Sequence, residues 1–356
     1  MQGSPDKAKT ALVLPGGGAR GAFQVGVLKA MAEMTPRGRP NPFSVFCGTS
    51  AGAVYSVGVA SRAQEFRAAI AELEQVWGHV RCHHVSKTVH LTMLKSSLHW
   101  MASLVLGGWL VGTPKSLLDN APLRALLHRN VHFPRIRDAI EAGCLDAVAV
   151  TAAGYASARS TTFFEASPEL AGWERTRRLG KQLDLNLDHL MASIAVPMVF
   201  PPVRIGNEYF GDGAMRQATP LSPAVHLGAD RILVIGIRDE MGEKVPDAPG
   251  EPPSFGQIAG YMLDTLFMDG LYSDLERVTR INELLDTLPD ESLAVGDTTM
   301  RPIDTMLIVP SEDLRAIAHK HRAELPFAIR ALLRGVGGSS PGENRLLSFL
   351  LFEQAY

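Results

Sequence analysis

Two strand-to-turn-to-helix junctions near the N-terminus constrain this chain more than anything else in it. The first, Thr10–Val27, reads TALVLPGGGARGAFQVGV: an apolar strand breaks into a glycine triplet and enters a helix. The second, Val45–Ala51, reads VFCGTSA and runs into Gly52, so Gly48-Thr49-Ser50-Ala51-Gly52 is a G-x-S-x-G behind a short apolar strand. The glycine triplet supplies backbone N–H donors at a helix start, and the second junction lifts a serine clear of its own sheet on a tight turn. A serine nucleophile needs both parts, the exposed hydroxyl and donors for the oxyanion of a tetrahedral intermediate. Gly48 and Gly52 flank the serine where a Cβ would collide with the neighbouring strand or helix.

Gly16-x-Gly18-x-x-Gly21 also fits the dinucleotide-binding fingerprint. That site requires an acidic residue at the end of the second strand to hold the ribose hydroxyls. Here the second strand ends in Cys47-Gly48-Thr49-Ser50, and Glu33 lies inside the preceding helix pattern. The nucleotide reading therefore lacks its ribose ligand, while the preference of a helix N-terminus for negative charge remains.

Two further segments complete a set. Met191-Ala192-Ser193-Ile194-Ala195-Val196-Pro197-Met198-Val199-Phe200 runs into two prolines, and Phe210-Gly211-Asp212-Gly213-Ala214 follows. With the glycine triplet and the G-x-S-x-G, in this order, they resemble the patatin-like phospholipase family, whose pattern is G-G-G-x-R-G, G-x-S-x-G, A-S-x-A-x-P-x-x-F-x-P and D-G-[GA]. The resemblance spans residues 10–225. It implies a three-layer α/β/α fold with a central, mostly parallel sheet, and a lipid or phospholipid substrate whose acyl ester is cleaved.

It also assigns roles. Ser50 is the nucleophile and Asp212 its base, a Ser-Asp dyad without histidine. An aspartate with an ordinary pKa near 3.9 is a weak base, so this role requires a dry pocket and a strong oxyanion hole. Backbone N–H groups of Gly17 and Gly18, joined by Gly16 and Ala19, are expected to form that hole. Arg20 either braces the loop or meets a lipid phosphate. No cofactor and no metal is expected. A conventional Ser-Asp-His order would recruit His226, which otherwise reads as a helix-end histidine. His79, Cys82, His83, His84 and His90 match no metal-ligand spacing. A non-enzymatic lipid-binding or regulatory scaffold of the same fold is the alternative function.

Composition fits an ordinary globular enzyme, with 46% hydrophobic residues in 356. A net charge of −2 argues against nucleic-acid binding. Three scattered cysteines, Cys47, Cys82 and Cys144, suggest a reducing compartment and no disulfide framework. The polar start and the absence of a long apolar run predict no signal peptide and no transmembrane helix, hence a cytoplasmic protein open to peripheral membrane contact. The longest apolar run, Leu98–Val111, carries Trp100 and Trp109. It reads as a core helix or as an interfacial docking element.

Periodicity predicts strands at Thr10–Leu14, Phe43–Cys47, Leu145–Thr151, Thr161–Glu165, Arg231–Ile237 and Ile303–Val309. Helices are expected at Ala22–Met34, Ala51–Ala60, Ala63–Val80, Leu117–Leu127 and Phe255–Leu288, with a proline-rich surface linker at Arg238–Pro253. The expected organisation is a catalytic domain over 10–225 and a C-terminal part over 226–356 packed on it. That part, a helical C-terminal extension, holds the last strand, the linker, the long amphipathic helix and terminal helices with an apolar cluster.

Overall fold

The computed structural model describes residues 8–39, 41–87, 116–238, 252–289, 294–295, 298–335, 337 and 344–353. The Leu98–Val111 run and nearly all of the expected linker lie outside the described residues. The strands of the main sheet are β1 (Thr10–Leu14), β2 (Val45–Thr49), β3 (Ala147–Gly154), β4 (Ser160–Ala166), β5 (Trp173–Glu174), β6 (Arg178–Gln182), β7 (Val203–Ile205), β8 (Glu208–Asp212), β9 (Arg231–Ile235) and β10 (Asp304–Ile308). The helices are α1 (Ala22–Met34), α2 (Ala51–Ala60), α3 (Phe66–Trp77), α4 (Cys82–Val85), α5 (Ala121–Asn130), α6 (Pro134–Glu141), α7 (Leu187–Ser193), α8 (Ser222–His226), α9 (Phe255–Leu285), α10 (Leu314–Lys320), α11 (Phe327–Gly335) and α12 (Arg345–Leu350).

The sheet runs β10-β9-β1-β2-β3-β4-β6-β5, and its first five strands are all parallel. β4 and β8 pair antiparallel with β3, so the sheet is mixed beyond that point. Alternation along the strands sorts side chains between two layers. Leu12, Leu14, Phe46, Val148 and Val150 face a core with α1, α2, α3 and α7, whereas Ala11, Val13, Val45, Cys47 and Ala149 face one with α8 and α9. This is the expected three-layer α/β/α arrangement. β2 lies on one side of β1 and β9 on the other, so the strand order reverses at β1, where α/β sheets bind ligands beyond their carboxyl ends.

Several boundaries differ from expectation. The helix expected from Leu117 starts at Ala121, because the Leu117 and Leu118 amides donate to Met198 O and Val199 O at 2.8 and 2.9 Å. The helix expected over Ala63–Val80 is confined to Phe66–Trp77, its flanks being hydrogen-bonded turns. β2 ends at Thr49, two residues later than its apolar run, and delivers the chain directly to Ser50. Beyond the sheet, α10, α11 and α12 share a small apolar core with Cys82 of α4.

Candidate active site

The sheet register brings Ser50 and Asp212 together. β2 pairs with β3 through Thr49 opposite Thr151, and then leaves the sheet at Ser50. β8 takes over the vacated edge of β3, with Asp212 opposite Ala152 and Gly211 opposite Ala153. The opposite edge of β3 is occupied by β4. Two residues 162 positions apart in sequence (212 − 50) thus follow one another along a single strand edge.

Ser50 adopts φ 54°, ψ −127°, a strained conformation for a residue with a side chain. Its backbone is held from both sides: its N–H donates to Ser193 Oγ at 2.9 Å, and Ser193 Oγ donates to Thr151 O at 2.7 Å. Close approach explains the glycines. A Cβ on Gly52 would lie 2.0 Å from Leu14 O, one on Gly48 would lie 2.4 Å from Ala53 Cα, and one on Gly16 would lie 2.7 Å from Ser50 Cβ. The loop after β1 therefore lies directly against the serine.

Asp212 closes β8 and caps the short 3-10 turn Gly213–Met215, with Oδ1 accepting from Ala214 N–H at 3.0 Å. Its N–H donates to Ala195 O at 2.9 Å. Only 1% of the residue is exposed. Burial pushes its carboxyl up to about 7, and the Ser50 hydroxyl and the Ala214 amide partly oppose that rise. Oδ2 is sealed from solvent and has no hydrogen-bond partner meeting ordinary geometric limits, so it is left for the nearby Ser50 hydroxyl.

The glycine loop continues into a 3-10 turn, Gly18–Gly21, and then α1. Among the described residues no acceptor is recorded for the backbone N–H groups of Gly16, Gly17 and Gly18. Ala19, in the first turn, lacks an intrahelical acceptor for the same reason that any helix start does. Gly18 has φ +58°, and a Cβ there would lie 2.5 Å from Phe349 O. Arg20 is turned away from the serine and is 2% exposed. Its Nη1 meets Asp264 Oδ1 at 2.6 Å, its Nε donates to Ser348 Oγ at 2.8 Å, and its guanidinium sits 4.1 Å above the Phe349 ring.

Ser50 and Gly18 open onto a narrow apolar pocket of about 80 Å³. Its walls include Val54 of α2, Ile194, Leu263 and Phe267 of α9, and Leu346 and Phe349 of α12. The serine is only 4% exposed, and α12 supplies part of the pocket wall. Sequence reasoning missed Ser193 as the brace of the elbow, although it sits in a quoted motif. It also missed Asp264, for which no local signal exists, and placed Phe349 only in a terminal apolar cluster packed on the catalytic domain.

The other histidines and cysteines lie elsewhere. His226 Nδ1 bonds Ser222 O in its own helix at 2.9 Å, and its ring packs on Trp173. His83 and His84 pack against each other, and His84 Nδ1 accepts from Arg81 N–H. Among the described residues no group of three or more His, Cys, Asp or Glu could hold a metal; His90 lies outside them. Cys47 is buried with its thiol pKa raised by desolvation, and burial pushes Cys82 up to about 12. No described helix is long and apolar enough to cross a membrane.

The model of the patatin-like phospholipase family matches residues 12–225. No curated protein matches the chain. VipD from Legionella pneumophila is similar at 13% identity and a TM-score of 0.34, over 86% of this chain and 62% of that one. The ExoU–SpcU heterodimer of the type III secretion system of Pseudomonas aeruginosa is similar at 15% identity and a TM-score of 0.30, over 96% of this chain and 68% of that one. This chain thus spans less than two thirds of the length of the VipD chain. The chain belongs to the patatin-like phospholipase family.

Proposed function

We propose that this protein is a serine lipid acyl hydrolase, a carboxylic ester hydrolase that cleaves (phospho)lipid acyl esters through Ser50 and Asp212. The observation that carries this reading is the strained serine beside a buried aspartate whose pKa is raised to about 7, opening on an apolar pocket. A base titrating near neutrality is matched to proton transfer at physiological pH. Ser50 Oγ attacks the ester carbonyl while its proton passes to Asp212 Oδ2. The oxyanion takes N–H bonds from Gly17 and Gly18, with Gly16 and Ala19 framing the loop. Collapse expels the alcohol, which recovers the proton from Asp212. Water then attacks the acyl-enzyme, giving its proton to Asp212, and the carboxylic acid leaves as Ser50 is regenerated.

Arg20 belongs to the frame in this reading: it braces the loop and does not meet the phosphate. Gly48 and Gly52 allow the elbow its close packing. The low exposure of Ser50 keeps a second reading, a lipid-binding scaffold without turnover. Labelling by a fluorophosphonate probe separates the two. Wild type is expected to be labelled at Ser50 and to hydrolyse a short-chain ester. Ser50→Ala and Asp212→Ala are each expected to lower turnover about 10³-fold or more, with non-additive losses in the double variant. Retention of turnover by Asp212→Ala together with its loss in His226→Ala would overturn the dyad.

A further inference from the structure

Four arginines line a second cavity, an open groove of about 720 Å³. Arg175, Arg177 and Arg178 come from the β5–β6 region, and Arg216 comes from the turn that follows Asp212. Arg178 is half-buried and donates to Thr219 Oγ1 and Ser222 Oγ at 2.8 and 2.7 Å. Arg175 Nη1 donates to Glu174 O at 2.8 Å. Arg177 and Arg216 are exposed, and neither is among the arginines that meet a carboxylate among the described residues. Neighbouring acids are already engaged: Glu174 pairs with Arg159 at 2.7 Å, and Asp274 pairs with Arg277 and accepts from Leu221 N–H. In a chain of net charge −2 the groove is a local concentration of positive charge, in which, among the described residues, only Arg178 lies near a carboxylate that interacts with it, that of the buried Asp274.

Its position matters as much as its charge. Ala214, whose amide holds Asp212 Oδ1, lines the groove, and so does Gln217, which hydrogen-bonds Thr49 immediately before Ser50. α9 presents Leu263 and Phe267 to the apolar pocket and Leu266 and Gly270 to the groove. Ser50 itself lines the apolar pocket, and residues that hydrogen-bond Asp212 and Thr49 line the groove, so one cavity is walled with hydrocarbon and the other with guanidinium groups on either side of these two segments. A molecule with an ester between an alkyl chain and an anionic end matches both.

The geometry points to this groove as the binding site for the anionic, phosphate-bearing headgroup of the lipid whose acyl chain enters the Ser50 pocket. The assignment rests on the hydrolase reading and adds a substrate class to it. Guanidinium forks suit phosphate oxygens, and a choline cation brought to the same wall is repelled.

The test uses two short-chain phospholipids below their micellar concentrations, one with a glycerol headgroup and net negative charge, one with choline. Calorimetric binding to the Ser50→Ala protein and kcat/KM of the wild type are measured for both. The anionic lipid is expected to bind roughly tenfold tighter, and Arg177→Gln with Arg216→Gln should bring the ratio close to one, while the two Lys replacements keep part of it. Absence of a preference, a ratio unmoved in the Gln pair, or equal losses on both lipids in the Gln and Lys pairs overturns the assignment. Inorganic phosphate binding as tightly as the anionic lipid overturns it too, because the groove would then serve the free ion. A binding preference that persists where wild type cleaves neither lipid would sink the hydrolase reading and leave the headgroup site standing.

Discussion

At the scale of single residues, the buried carboxyl of Asp212 ties stability to pH, and in the proposed mechanism it ties activity to pH as well. With its pKa raised to about 7, the base is ionised only above neutrality, so kcat/KM should rise through pH 7 and level off above it. A profile already flat from pH 5 would show that Asp212 is not the group titrating. Stability runs the opposite way. The folded pKa lies above the unfolded one, so the contribution is fully present below pH 4 and is lost as pH rises through 7. Asp212→Asn should therefore leave stability near pH 4 little changed and raise it at pH 9 by up to about 4 kcal/mol. Urea denaturation at the two pH values measures the difference.

At the scale of elements, the elbow depends on α2 approaching β1 closely. A methyl on Gly52 meets backbone, Leu14 O at 2.0 Å, and backbone cannot rotate aside. Gly52→Ala should cost about 2 kcal/mol or more and disturb the serine it follows. Gly58, on the same helix, is the contrast. Its added Cβ would meet only Leu73 Cδ1 at 3.7 Å, ordinary contact. Gly58→Ala should be neutral or stabilise by up to about 1 kcal/mol. Melting temperatures of the two variants test the pair; equal losses would mean that helix propensity, not close packing, explains the glycines.

At the scale of the whole molecule, the glycine loop after β1 is fastened to chain far beyond the family-matched residues. Asp264 of α9 takes Arg20 on one oxygen at 2.6 Å and lies 3.2 Å from Arg345 of α12 on the other, and its own side chain is 3% exposed. Removing one member of a buried ion pair leaves charge without compensation, which typically costs about 3–5 kcal/mol. Asp264→Asn should be worse than Arg20→Met, since it strands two arginines while the second variant leaves Asp264 with Arg345. The double variant should lose less than the sum of the two. Denaturant midpoints decide this. Leu98–Val111 has two readings, an interfacial docking element and a core helix, and one variant separates them. If the run docks on lipid, changing Leu104, Leu106 and Leu110 to serine abolishes co-sedimentation with liposomes and spares hydrolysis of a soluble ester; if it is a core helix, the same change lowers the melting temperature sharply and removes both activities.

Much of this fold and site was legible because its signals are local. A strand breaking at Gly16–Gly18, a serine between Gly48 and Gly52, and an aspartate between Gly211 and Gly213 are each set by backbone sterics within a few residues. Period-two and period-3.6 patterns placed β1, α1, α2 and α9 for the same reason. What only the tertiary structure decided lies between distant segments. The replacement of β2 by β8 along the edge of β3 sets Asp212 beside Ser50, and no stretch of sequence encodes that register alone. Burial raises the Asp212 pKa, and burial is a property of everything packed around it. Arg20 could face phosphate or frame from its sequence position; a carboxylate 244 residues away turned it inward, because a desolvated guanidinium goes where its charge is met.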